Sequence, residues 1–246
     1  MSKLSIYKVK DSAENHYIDK EVIFNVPFRL LVVGRSYFSG KSNMICNLLL
    51  RDEFYNSDFS GNNIFIVSPS LDTDEKLQKL VQIKEIPEAN LMMSYDEEML
   101  TELYKMLEEE YEYCVDNKIK PEHKIIIFDD MSFSGELKSK QHGIINKMFS
   151  NGRHPLISVL MTAQKYSSIS TSARENASGV IIFNSSNKQL ELVEADHNVL
   201  PEGKKPFMKM FRECIQDKHS FFVVNYSNPI ESRYLDCNFK PITYNK

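Results

Sequence analysis

Residues 28–42 read FRLLVVGRSYFSGKS, and the fold is decided by where this stretch divides. FRLLVVG (28–34) is a short apolar run with β-branched members, the length and composition of a buried strand. NMICNLLL (43–50) reads as the helix that follows it. Between them lie Gly34, Arg35, Ser36, Tyr37, Phe38, Ser39, Gly40, Lys41 and Ser42. A phosphate cradle needs inward backbone N–H groups, a helix N-terminus aimed at the anion, a lysine for the outer phosphates and a hydroxyl for Mg²⁺. Gly40, Lys41 and Ser42 supply the last three in order, so residues 34–42 are read as a phosphate-binding loop. The loop is irregular. Its usual first glycine falls at Arg35, with Gly34 one residue early, and Phe38 stands where a small residue is common. Gly-Lys-Ser also occurs as an ordinary helix start; the strand before it and the helix after it favour the phosphate reading.

Working outward, NIFIVSPS (63–70), KIIIFDD (124–130), LISVLMTAQ (156–164) and GVIIFN (179–184) repeat the short apolar run, and FFVVN (221–225) adds a late one. Polar or helical stretches separate them. One of these, residues 96–116, has apolar positions at helical spacing and nine acidic residues, read as a solvated face rather than a metal site. Strands alternating with helices predict an α/β fold with a mainly parallel central sheet flanked by helices. The chain divides into an arm (1–22), the main domain (23–200) and an extension packed on that domain (201–246). In such sheets, function sits at the carboxyl ends of the strands.

Asp129 and Asp130 end an apolar strand. Beside a phosphate loop, the first is placed to hold Mg²⁺ and the second to orient or deprotonate an attacking water. Without that loop a turn at a strand end would explain both. Gln164 ends the next strand, where an amide can touch both a γ-phosphate and the water. Arg153 precedes that strand and Arg174 the one after. Each is a candidate to reach across a subunit edge and neutralise transition-state charge, against the commoner fate of a surface ion pair.

Composition narrows the classes. The net charge of −4 means the surface as a whole does not attract nucleic acid, so a DNA contact needs a local patch or an assembled ring. Lys204, Lys205, Lys209 and Arg212 form one basic cluster, more simply read as a solvated helix face. The four cysteines form no CxxC pair and the six histidines no close metal spacing, which argues against structural zinc and for a reducing compartment. No apolar run approaches 18 residues, so no membrane span is expected. Twenty-three lysines against seven arginines, with six alanines, suggest an A/T-rich gene.

GRSYFSGKS, IIIFDD, NGRHPLISVLMTAQ and RENAS, in that order, resemble the viral genome-packaging ATPases of the FtsK–HerA superfamily. The resemblance is greatest to the poxvirus-type branch of large DNA viruses, virophages and Polinton-like elements, and it spans about residues 28–183. It implies a P-loop NTPase that hydrolyses ATP with Mg²⁺ and assembles as a homo-oligomeric ring. Such a ring drives double-stranded DNA into a preformed capsid at a portal vertex, in a viral factory of the host cytoplasm or in association with the virion. It assigns nucleotide and Mg²⁺ to Lys41 and Ser42, the acidic pair to Asp129 and Asp130, the strand-end amide to Gln164, and the intersubunit arginine to Arg153 or Arg174. Two other readings stay open. One is a scaffold protein gated by nucleotide without turnover. The other is a nucleotide kinase, against which the scarcity of arginines argues.

Overall fold

The computed structural model describes residue 9 and residues 11–36, 39–131 and 143–243. Its centre is one eight-stranded sheet: β1 (Arg29–Val33), β2 (Ile64–Val67), β3 (Leu91–Met92), β4 (Lys124–Phe128), β5 (Ile157–Ala163), β6 (Gly179–Phe183), β7 (Phe221–Asn225) and β8 (Tyr234–Leu235). The spatial order is β3-β2-β4-β5-β1-β6-β7-β8. The first six strands are parallel, and β7 and β8 continue the sheet antiparallel. The parallel part needs crossovers, which the helices supply: α1 (Lys41–Leu50), α2 (Glu75–Lys84), α3 (Glu97–Asp116), α4 (Ile144–Asn151) and α5 (Thr171–Glu175); α6 (Asn187–His197) follows the last parallel strand. α7 (Lys204–Cys214) leads into β7.

Alternate residues of each central strand face opposite sides, and both sides are buried, so the strands read as unbroken apolar runs. Leu31, Val33, Ile126, Phe128 and Val159 join the core under α3, α4, α6 and α7. Leu30, Val32, Ile125, Ile127 and Leu160 join the core under α1 and α2. The acidic helix α3 inserts Leu100, Leu103, Tyr104 and Leu107, while Met99 stays half exposed. Two of its acids pair with neighbouring elements, Glu110 with Lys124 at 2.7 Å and Glu108 with Lys147 at 2.9 Å.

Residues 11–18 lie against the loops that lead into the sheet. Tyr17 donates to the Arg153 carbonyl at 3.4 Å, His154 pairs with Asp11 at 2.9 Å, and His123 Nε2 meets the His16 carbonyl at 2.8 Å. These contacts mark the amino edge of the sheet. The other edge carries the loop that begins at Gly34.

Candidate nucleotide site

β1 delivers the chain to Gly34, whose N–H donates to the Ala163 carbonyl at the end of β5 (3.0 Å). A Cβ on Gly34 would sit 2.5 Å from Ser39 Cβ and 2.8 Å from Phe183 Cβ, so only glycine lets the loop close there. The glycine displaced from its usual place thus has a packing reason of its own. Gly40 begins α1 in the left-handed region (φ 82°) and offers no side-chain cap. The amino ends of α2, α3 and α5 are capped by Asp74, Asp96 and Ser170, whereas α4, α6 and α7, like α1, have no side-chain cap. The first N–H groups of α1 are therefore left for an anion, with the positive end of the helix behind them.

Lys41 is buried, and its ammonium donates to the Gly34 carbonyl at 2.9 Å, bridging the loop it closes. Burial pulls its pKa below the ordinary lysine value, against the opposing charges of Asp130 and Asp129. Ser39 Oγ is buried with no hydrogen-bond partner, a polar atom that a bound phosphate would satisfy. Ser42 Oγ donates to Asp74 Oδ2 at 2.6 Å. Arg35 and Ser36 stand on the exposed shoulder of the loop, and Tyr37 and Phe38 lie outside the described residues.

The acids follow β4, between the ends of β2 and β5. One hydroxyl positions both: Thr162 Oγ1 donates to Asp129 Oδ1 at 2.7 Å and accepts from the Asp130 N–H at 3.0 Å. Ser68, from the end of β2, donates to the other Asp129 oxygen at 3.4 Å. Burial pushes the Asp129 carboxyl above the usual carboxylate range, while the Thr162 hydrogen bond holds it down. Asp130 takes a left-handed turn (φ 49°), a conformation aspartate tolerates better than most residues. Its carboxylate accepts from Gln164 Nε2 at 2.9 and 3.2 Å. Lys41, Ser42, Asp129, Asp130 and Gln164 thus converge at one end of β1, β4 and β5.

The donor set suits Mg-ATP: an uncapped helix start and a lysine for phosphate, with a hydroxyl and carboxylates for a hard cation. Sequence reading missed Asp74, Ser68 and Thr162. Asp74 carried only the signature of a helix cap, Asp-Glu before an apolar period, and nothing in it pointed to Ser42.

The two arginines are not at this site. Arg153 precedes β5 at the amino edge, next to Arg29, whose pKa burial and the Arg153 charge both lower. The five residues of β1, about 16 Å of strand, separate that edge from the phosphate loop of the same chain. Arg174 is committed elsewhere: it pairs with Asp196 at 2.5 Å and lies over the Tyr166 ring at 5.0 Å. The basic cluster lies on α7, with Lys204 paired to Glu191 at 3.1 Å and Lys209 beside Glu213 at 3.9 Å.

Arg174 belongs to a buried polar network centred on His197, which is 2% exposed. Tyr166 donates to Asp196 at 2.8 Å and lies 2.7 Å from His197 Nε2, and the Tyr226 hydroxyl lies 2.8 Å from Nδ1. A neutral ring with the proton on Nε2 satisfies both tyrosines. Burial lowers the pKa of His197 to about 4, although Asp196 favours the charged form. The native state therefore resists a proton that the unfolded chain takes up below about 6.5, and stability from this group is lost as pH falls from 6.5 towards 4. Urea unfolding at pH 7 and 4.5 should show the wild type losing about 2–3 kcal/mol more than His197→Asn, whose amide does not titrate in this range. Equal losses would show that His197 does not resist protonation.

A family model described as Poxvirus A32 protein matches residues 15–238. Curated proteins yield no match. Among solved structures, the fold is similar to B204, the DNA-packaging ATPase of Sulfolobus turreted icosahedral virus. That pair shares 15% identity with a TM-score of 0.56, covering 82% of this chain and 94% of the other. B204 of Sulfolobus turreted icosahedral virus 2, in complex with ATP-gammaS, aligns at 15% identity and TM-score 0.50 over 81% and 92%. The pCW3 conjugation coupling protein TcpA, bound to ATPgS, aligns at 10% and 0.53 over 82% and 58%. At these identities the structural likeness establishes a shared fold.

Proposed function

The chain belongs to the poxvirus A32 protein family, and from that premise and the site's geometry we propose that it is an ATP-hydrolysing motor that packages viral DNA. The family match bears out the resemblance to packaging ATPases of the FtsK–HerA type, and the sheet with its phosphate loop is the fold that resemblance implied. The observation that carries the catalytic reading is the pairing of Asp130 with Gln164 beside Lys41, while Asp129 is held apart by Thr162 and Ser68. Those different partners support separate tasks for the two adjacent acids.

In this reading the α1 N–H groups and Lys41 hold the phosphates, and Ser42 and Asp129 hold Mg²⁺. A metal held there would offset the negative charge of the phosphates. Asp130 orients the attacking water and accepts its proton, and Gln164 holds the Asp130 carboxylate in place. A trans arginine requires the amino edge of one subunit to meet the loop of the next, so the active form is a homo-oligomeric ring. Double-stranded DNA is the substrate moved and a preformed capsid its destination, in a viral factory of the host cytoplasm. Among the described residues no helix is long and apolar enough to cross a membrane.

ATPase assays with and without double-stranded DNA test the reading. A motor is stimulated by DNA, whereas a nucleotide-gated scaffold shows no turnover. Asp130→Asn should keep Mg-ATP binding and lose hydrolysis, because the amide preserves shape but accepts no proton. Asp129→Asn should instead raise the Mg²⁺ concentration needed for half-maximal rate. Exchanged phenotypes would reverse the two roles.

A further inference from the structure

We propose that Asp74 is a positioning residue for the metal side of the site: its carboxylate accepts the Ser42 proton, so that the Ser42 oxygen is free to meet Mg²⁺. This rests on the reading of Ser42 as a Mg²⁺ ligand. A serine hydroxyl has one proton to donate and two lone pairs to offer. Beside a cation its O–H becomes a stronger donor and needs an acceptor of its own. Asp74 Oδ2 is that acceptor, at 2.6 Å, the length of a charge-assisted O–H···O⁻ bond. Among the described residues Ser42 Oγ donates nowhere else. Asp129, the other residue read as a metal ligand, is already served by other hydroxyls. One of its oxygens accepts from Thr162 at 2.7 Å and the other from Ser68 at 3.4 Å.

The carboxylate is held in place by its own helix. Asp74 is the N-cap of α2, and its Oδ1 accepts from the Lys76 N–H at 2.9 Å and the Leu77 N–H at 3.3 Å. With one oxygen engaged by the cap, the second is fixed against α1. The two helices are clamped together beyond this point. Cys46, one turn past Ser42, donates its thiol to the Lys76 carbonyl at 3.3 Å, and Leu77 and Leu80 are buried with Ile45, Leu48 and Leu49. The Asp74 N–H donates to the Ser70 carbonyl at 2.8 Å. Ser70 Oγ in turn lies 3.0 Å from Ser68 Oγ, the hydroxyl that donates to Asp129. The turn from Ser68 to Asp74 therefore touches Asp129 at its first residue and Ser42 at its last. A cap alone does not call for a carboxylate, since asparagine and serine cap as well, and Ser170 does so on α5. What the carboxylate adds is a second acceptor oxygen, one for the α2 N–H groups and one for Ser42.

Asp74→Asn and Asp74→Ser both keep an N-cap for α2 and leave no second acceptor for Ser42. Calorimetric titration of the non-hydrolysable analogue AMPPCP, with Mg²⁺ and again with EDTA, gives the gain in affinity that the metal provides. Each variant should lose about 10-fold of that gain, the scale of removing the partner of a metal ligand, and bind metal-free AMPPCP as the wild type does. Ser42→Ala should also lose the gain. Adding Asp74→Asn to it should cost nothing further, because a residue that acts through Ser42 has no part once the hydroxyl is gone. Urea midpoints near the wild-type value show the cap intact, and either variant alone decides the matter. A full metal gain in the Asp74 variants, an equal fall in metal-free binding, or losses that add to that of Ser42→Ala overturn the positioning role while leaving Ser42 as a ligand. If Ser42→Ala itself keeps the full gain, the ligand reading of Ser42 fails and the role of Asp74 with it.

Discussion

Lys41→Ala is expected to lose ATP turnover by at least about 10²–10³-fold, the scale of removing one preorganised charge from a developing anion. The ammonium lies buried at the start of α1, where water screens it little, so its interaction with a phosphoryl group is strong. It also braces the loop through the Gly34 carbonyl at 2.9 Å, so part of the loss comes from a loosened loop. Lys41→Arg tests this. It keeps the charge but not the compact ammonium that fits beneath Gly34, and it should also be severely impaired. Steady-state hydrolysis, with unfolding curves to show that each variant is native, gives the answer. Wild-type turnover in Lys41→Ala would remove the phosphate-loop assignment.

Mixing Arg153→Ala subunits with Lys41→Ala subunits is expected to restore activity that neither has alone. Arg153 lies at the amino edge, a strand's length from the phosphate loop of its own chain, so it can serve only a neighbour's site. At a mixed interface one intact loop faces one intact arginine. An arginine finger contributes about 10³–10⁵ in rate, so even a minority of complete sites stands clear of the single-variant background. If the mixture stays inactive while oligomers still form, Arg153 is not the trans residue. Arg174→Ala in the same mixing experiment then decides for the second candidate. Its ion pair with Asp196 and its seat over Tyr166 predict a different signature, lost stability rather than rescuable turnover.

Much of the site was legible because its parts are local in the chain. A phosphate loop is a run of consecutive residues between a strand and a helix, so Gly40, Lys41 and Ser42 announce themselves without any tertiary contact. Asp129 and Asp130 are legible for a related reason: a long apolar run that stops at two charges must end at a sheet edge. Gln164 follows the same rule. The strands are legible because burial on both faces demands unbroken apolar runs, while the two-residue β3 and β8 are too short to carry any period.

What the sequence by itself determined, then, is the parallel sheet, the phosphate loop at its carboxyl edge and the identity of the acids. Only the tertiary structure decided which side chains hold each of those acids. The sharing of one Thr162 hydroxyl between Asp129 and the Asp130 backbone depends on β4 and β5 being neighbours, and strand order is not written in any single strand. The same holds for Asp74 meeting Ser42 across 32 residues of chain and for the removal of Arg174 into the His197 network. Each depends on which side chains a folded sheet brings within a few ångströms. Hydrophobic periodicity records which residues are buried, and it carries no record of what they are buried against.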